Sequence, residues 1–291
     1  MDIVLAQVIN GVAVGSIYAL LATGFNLLFL VGGVFQFAYP HLVVLTMYTF
    51  WLVLKATGDN LAVSILATIG AGMGLSVATE PLFRPLARRG AIVTTFILSL
   101  GIVIVFSDIM NRQIHYGIPI GFPPALSGQE ALARWGLATI TIGQLATILG
   151  AIGAVVGFLY MLYRTKRGRA FRTLAQSPFV ARLIGIPITK TSILSYLIAG
   201  LLGGVSAVFL SMSLGAAAGS LGNILAVKVF AVAMFAGLGN LKGGVIAGLI
   251  LGLVESFVMG YLRGDWVYAV SLGMILVVVM WKPEGLFSSD V

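Results

Sequence analysis

The chain has 291 residues, 59% of them apolar and only 9% charged, with a mean hydropathy of +1.08. Soluble domains carry about 25% charged residues, so this composition excludes an ordinary soluble domain and indicates a polytopic membrane protein. The net charge of +8 is no nucleic-acid signal, because ten of the seventeen Lys and Arg sit in two loops at predicted membrane edges; with no Cys, disulfides and thiolate metal sites are excluded too.

A helix needs about 20 apolar residues to cross a bilayer. Nine candidates occur in order: Ile3–Val31, Leu42–Leu54, Leu61–Thr79, Ala91–Met110, Ile142–Tyr163, Thr191–Met212, Ile224–Leu238, Val245–Leu262 and Trp266–Trp281. The first is expected to be a retained span, since MDIVLAQVIN has neither a basic flank nor a small-residue cleavage site. The expected fold is all-α, a single polytopic transmembrane domain over residues 1–291 with about eight to nine spans. Leu42–Leu54 and Ile224–Leu238 are short. The first follows FLVGGVFQFAYPH and the second runs into AGLGNLKGG. Broken helices at membrane depth survive only where protein or a water-filled path covers the freed backbone groups, and in transporters they mark the substrate route. The alternative is two ordinary loops beside slightly short helices. Further on, Gly244, Gly248 and Gly252 clear one helix face for a close neighbour.

Lys and Arg mark the cytoplasmic side. Arg84, Arg88 and Arg89 place the 80–90 loop inside, and seven basic residues with no acidic one place the 164–190 loop there as well. The segment Asn111–Thr141 is then outside. It carries Arg112, Arg134 and Glu130, and Pro119, Pro123 and Pro124 exclude a long helix through its middle. Nine crossings put the N-terminus outside and Lys282 inside. Within 164–190, Ser177 suits an N-cap, Pro178 the first helical position, and Gly185 a stop, with Pro187 beyond. The intervening PFVARLI predicts two turns of helix with Phe179 and Leu183 on one face. Such a helix either presents itself to a cytoplasmic partner or lies on anionic headgroups.

No GxxxxGK[ST], HExxH or GxSxG occurs, so this chain is expected to be no enzyme, to bind no ATP itself, and to need no cofactor or metal. His41 and His115 read as isolated polar residues. The ionisable residues inside apolar segments are Lys228 and Glu255, with Asp108 near a span's end. A charge near the bilayer centre costs about 3 kcal/mol or more, so it must face protein or water. Lys228 and Glu255 lie on sequential spans. They either pair beside the pathway or reach polar surface separately, Lys228 by snorkelling. Asn26, Gln36, Tyr39 and Pro40, in or near the interrupted stretch, complete the candidate pathway residues. For Asn10, Asn26 and Gln36, helix-packing hydrogen bonds are the alternative role.

At this point the sequence resembles the permeases of the branched-chain amino-acid ABC transporter family. GRAFRTLAQSPFVARLIGI is similar to that family's cytoplasmic coupling segment, commonly GRAxRAxAxxxxxAxxxGI. LKGGVIAGLILGLVE and the terminal WKPEGLF resemble its Gly-rich helix and RPxGLF end, and NGVAVGSIYALLATGFNLLFLVGGVFQFAYPHL resembles its N-terminal pattern. The resemblance implies a permease subunit in a bacterial inner membrane, working with a second, similar permease, two ATP-binding subunits and a periplasmic substrate-binding protein. It also implies that Ser177, Pro178, Phe179, Ala181, Arg182, Leu183 and Gly185 couple the chain to an ATPase subunit. Gln36, Tyr39 and Pro40 stand where the family commonly has Asn, His and Gly; Phe179 replaces a common acidic residue, and Ala236–Asn240 reads AGLGN for GGLGS. The expected cargo is therefore a small polar metabolite: an amino acid, an amide, urea or a small organic acid. The rival expectation is an ion-gradient-driven secondary transporter or channel.

Overall fold

The computed structural model describes residues 2–114, 118–123, 131–135, 138–262, 264–282 and 285–287. His115, Pro124, Glu130, Pro283 and Glu284 lie outside the described residues. The chain opens with α1 (Asp2–Gly32), α2 (Tyr39–Ala56), α3 (Leu61–Arg88) and α4 (Ile92–Asp108), the last running into a single π turn, Ile109–Gln113. Next come β1 (Ile120–Gly121) and an antiparallel hairpin of β2 (Ala131–Trp135) and β3 (Ala138–Thr141). The long α5 (Ile142–Arg164) leads into two short helices, α6 (Lys166–Gln176) and α7 (Pro178–Leu183). Then follow α8 (Ile188–Leu214), β4 (Ala216–Ala217), α9 (Leu221–Ala236), α10 (Leu241–Tyr261) and α11 (Trp266–Trp281). β4 pairs antiparallel with β1, Ala217 opposite Ile120. The fold is thus nearly all-α, with two small β pairs that the all-α expectation omitted.

Among the described residues, six helices are long and apolar enough to cross a membrane: α1, α3, α4, α5, α8 and α10. This is fewer than the eight to nine spans expected from apolar segments alone. α9 and α11 are apolar but have only 16 residues each. α2 carries Tyr39, His41, Thr46 and Tyr48, all buried, because α3, α4, α8 and α9 pack around it. A helix sheathed in protein needs no continuous apolar surface, which is why α2 tolerates these groups. The expected 80–90 loop is also corrected, since α3 continues as helix through Pro81 and Pro85 to Arg88. Proline removes a backbone donor and often ends a helix. Here Glu80 and Arg84, one turn apart, form a two-point ion pair across that stretch.

The helices form two matching sets. α1 crosses α10 as α8 crosses α3, α2 meets α9, and α4 lies on α3 as α11 lies on α10. The connections agree in detail. Residues 33–38 join α1 to α2 and residues 215–220 join α8 to α9, each opening on a left-handed glycine, Gly33 (φ 59°) and Gly215 (φ 65°). The α2–α3 and α9–α10 turns end on Asn60 and Asn240, whose side chains cap the next helix by accepting from Val63 and Gly243 N–H. The end of α1 shares a cavity with the start of α8, and the end of α8 shares another with the start of α1. The two sets therefore run in opposite directions, an inverted repeat of the kind found in transporters.

Both crossings are backbone against backbone. A Cβ on Gly15 would sit 2.9 Å from the Leu249 Cα, and a Cβ on Gly248 would sit 2.5 Å from the Ala19 nitrogen. On the other side a Cβ on Gly72 would meet the Gly200 carbonyl oxygen at 2.6 Å. The expected cleared face of α10 is thus filled by α1. Small residues matter here because lipid supplies no hydrophobic drive, leaving van der Waals contact as the main attraction between helices. Gly248→Leu must displace a neighbouring helix, not a flexible side chain, and is expected to cost at least about 1–3 kcal/mol. Gly153→Leu, with open space around it, is the matched control. Unfolding of the two variants in detergent should show a clear loss for the first and little change for the second; equal behaviour would refute the close crossing.

Candidate functional site

Polar groups gather at both ends of the bundle. At the end away from α7, a cavity of about 500 Å³ is lined by Gln7, Asn10, Gln144, Lys228, Glu255 and Ser256, among others. Lys228 and Glu255, both buried, are in contact on its wall: the Lys228 Nζ donates to Glu255 Oε2 at 2.7 Å and to the Tyr18 hydroxyl at 2.7 Å. Tyr18 donates in turn to Glu255 Oε2 at 2.8 Å, and Ser271 donates to Oε1 at 2.9 Å. Four helices, α1, α9, α10 and α11, are tied through one carboxylate. Of the two readings open from sequence, pairing or separate snorkelling, the geometry has the pair.

The other four pathway candidates are buried, and none of them lines either of the two cavities described here. Asn26 accepts from the Gly239 N–H at 3.2 Å and so supports the α9–α10 turn. Gln36 donates to Thr79 Oγ1 at 3.0 Å. The Tyr39 hydroxyl donates to the Ala199 carbonyl at 3.0 Å, its ring end occupying the space beside Gly24 and Gly203. Pro40 starts α2 without needing a donor. These contacts match the packing role that was the alternative for Asn26 and Gln36.

At the α7 end, a cavity of about 470 Å³ lies between the end of α1, the end of α3, the start of α4, the start of α8 and the two short helices. Glu80, buried on α3, accepts from Arg84 Nε at 2.9 Å and from Ser192 Oγ on α8 at 2.7 Å. The sequence signals this clamp only by the i, i+4 spacing of an acid and an arginine beside two prolines. Above the cavity sits a cluster of six phenylalanines. Phe35 packs edge-to-face on Phe25, Phe29, Phe96 and Phe230 at 5.4–6.3 Å between ring centres, and Phe37 packs on Phe96 and Phe230. Phe35 and Phe37 come from the break between α1 and α2, whose backbone is satisfied in part by Ser99 Oγ accepting from the Ala38 N–H. The cluster was legible only as alternate phenylalanines in FQFAYP.

The predicted short helix is present. Ser177 caps α7 by accepting from the Val180 N–H at 3.3 Å, and Gly185 closes it with φ 77°. Ala181 seats in an apolar cluster with Phe171 and Leu174 of α6. Phe179 and Leu183 are each 70% exposed, and Val180 and Ile184 extend the same surface. Pro178 and Arg182, themselves exposed, line the cavity. The coupling candidates thus divide into an apolar knob and an exposed arginine beside the cavity. Nearby, Tyr163 at the end of α5 lies under Arg172 of α6 and Lys242 of α10, cation to ring centre 5.4 and 4.6 Å.

The family model "Branched-chain amino acid transport system / permease component" matches residues 7–279. The chain is 26% identical to the high-affinity branched-chain amino acid transport system permease protein BraD of Pseudomonas aeruginosa, over 97% of this chain and 95% of that one. It is also 26% identical to LivH, the corresponding permease protein of Escherichia coli, over 97% and 94%. A more distant likeness, 28% over 70% of this chain and 61% of the other, is to the autoinducer 2 import system permease protein LsrD of Photorhabdus laumondii. No solved structure matches the chain.

Removing one partner of a buried ion pair strands the other charge, which costs about 3–5 kcal/mol. Lys228→Met is therefore expected to destabilise the chain strongly, and Lys228→Met with Glu255→Met to recover most of the loss. Denaturant or thermal unfolding in detergent checks this; a double variant no better than the single one would contradict the pairing.

Proposed function

From the premise that the chain belongs to the branched-chain amino acid transport permease family, we propose that it is the membrane-spanning subunit of an ATP-driven importer in the bacterial inner membrane. The observation that carries the reading is α7, a capped two-turn helix that is held at Ala181 and offers Phe179, Val180, Leu183 and Ile184 to solvent. An apolar knob at a basic end of the bundle suits a groove on a soluble protein, here an ATP-binding subunit. Two such subunits, a second permease of this kind and a periplasmic binding protein complete the assembly. Residues 1–291 act as one permease domain. α2, α9 and α11 act as short crossings, which makes nine in all, with the N-terminus outside and both basic segments, 80–90 and 164–190, inside.

Transport in this reading needs no covalent chemistry. ATP-driven movement of α7 reaches α6 through the shared apolar cluster and α10 through Tyr163 and Lys242. The inverted repeat then opens one end as the other closes, the phenylalanine cluster and the Lys228–Glu255 tie lying at opposite ends of the route. The cargo is a small metabolite of the amino acid, amide, urea or organic acid class. The ion-gradient alternative gains no support from the buried acids, because Glu80 and Glu255 are each already paired with a cation.

Phe179→Asp with Leu183→Asp is expected to leave ATP hydrolysis by the partner subunits running while uptake into proteoliposomes falls tenfold or more. Normal uptake by that variant would overturn the coupling role. Uptake driven by an imposed ion gradient, without ATP-binding subunits, would overturn the importer reading itself.

A further inference from the structure

We propose that residues 118–123 form a strap that closes the outer end of the route and lifts away when cargo enters, with Ile120 and Phe122 as its plug in the break between α8 and α9. This rests on the transport reading above and adds the element that gates it. Three observations carry it. First, the two breaks of the inverted repeat are filled differently. Counted from their left-handed glycines, Phe35 and Phe37 of the first break correspond to Ala217 and Gly219 of the second. The first break fills itself with its own rings, whereas the second has a methyl group or nothing at these positions. Second, the missing bulk comes from the outer segment. Ile120 stands opposite Ala217 in the β1–β4 pair. The Asn111 side chain takes the space beside Gly219, where a Cβ would sit 2.5 Å from its Oδ1. Ile120 and Phe122 are 3% and 8% exposed and share one apolar core with Ala217 and Phe50. The rings of Phe122 and Phe50 lie 5.7 Å apart between centres. Third, the attachment is slight. β1 pairs with β4 over two residues, and the Phe122 N–H donates to the Gly215 carbonyl at 2.9 Å.

An unwound stretch at membrane depth needs partners for its backbone groups, and in transporters such stretches lie on the substrate route. Here the strap supplies partners to the second break. A partner held by so short a β pair can leave, because two strands alone are barely stable. Met212, Ser213 and Leu214, just before the break, line the cavity at that end, so the strap lies beside it. Pro119 and Pro123 bracket the strap, fixing their own φ and biasing Ile118 and Phe122 towards extended backbone. The strap therefore keeps its shape when it leaves and moves as one arm. Ile118, Pro119 and Gly121 are exposed, so no described residue covers the strap from outside.

The chain has no Cys, so introduced thiols report on this strap alone within it. The full chain, assembled with its ATP-binding subunits and binding protein in proteoliposomes, is labelled at Ala217→Cys with a membrane-impermeant methanethiosulfonate. Labelling should be slow at rest and at least tenfold faster during ATP-driven turnover. Adding Ile120→Ala and Phe122→Ala should make it fast at rest. Gly121→Cys with Ala216→Cys places two thiols opposite each other in the β pair, and Gly121 has open space for a side chain. Oxidised to the disulfide, this variant should import at least tenfold more slowly than the same protein reduced. Equal uptake by the oxidised and reduced forms, or Ala217→Cys labelling at one rate at rest and during turnover, would overturn the strap and leave the transport reading standing. No ATP-driven uptake by the unsubstituted assembly would overturn the transport reading alone.

Discussion

The structure depends on two places where helix backbones touch without side chains between them, α1 on α10 and α3 on α8. In a bilayer, burying apolar side chains gains little, because lipid tails are as apolar as leucine. Close approach is what remains, and it needs runs of small residues such as Gly11, Gly15, Gly248 and Gly252, or Gly72, Gly200 and Gly204. These crossings hold the four long helices as a rigid frame. α2 and α9 can then be short and can carry polar groups, since the frame and not their own length keeps them in place.

The inverted repeat is closely kept in backbone and broken in chemistry. Both halves have a left-handed glycine after the first helix and an asparagine cap before the third. Each third helix also carries a buried carboxylate near one of the two cavities. Glu255 is neutralised by a lysine from a neighbouring helix and so ties the bundle across its width. Glu80 is neutralised by an arginine on its own helix and meets α8 through the Ser192 hydroxyl. Only one end bears α6 and α7. The two cavities are equivalent in position, yet one is rimmed by amides and the other by arginines.

Part of this was legible in the residues themselves. The caps of α7 are local, since Ser177, Pro178 and Gly185 fix its start and stop through backbone geometry alone. The Gly244–Gly248–Gly252 stripe is equally local, and it announced a close neighbour without saying which. Breaks at FLVGGVFQFAYPH and AGLGNLKGG were marked by glycine and proline. By contrast, hydropathy cut α3 short, because it treats every proline as an end, and it missed that α2 is sheathed in protein. Glu80–Arg84 shows how the helix runs on through the prolines.

The sequence by itself determined the environment, the approximate helices and the short capped helix, because bilayer thickness, charge and capping act over a few residues. Tertiary structure alone decided which glycines meet, that Lys228 reaches Glu255 across 27 residues, and that Tyr39 fills the space left at Gly24 and Gly203. It also decided that Arg182 and Arg84, on helices far apart in the chain, line one cavity. Those are relations between helices far apart in the chain. They depend on how each helix is rotated about its axis, and the apolar surface of a membrane helix, similar on most sides, encodes that rotation only through its few small and polar residues.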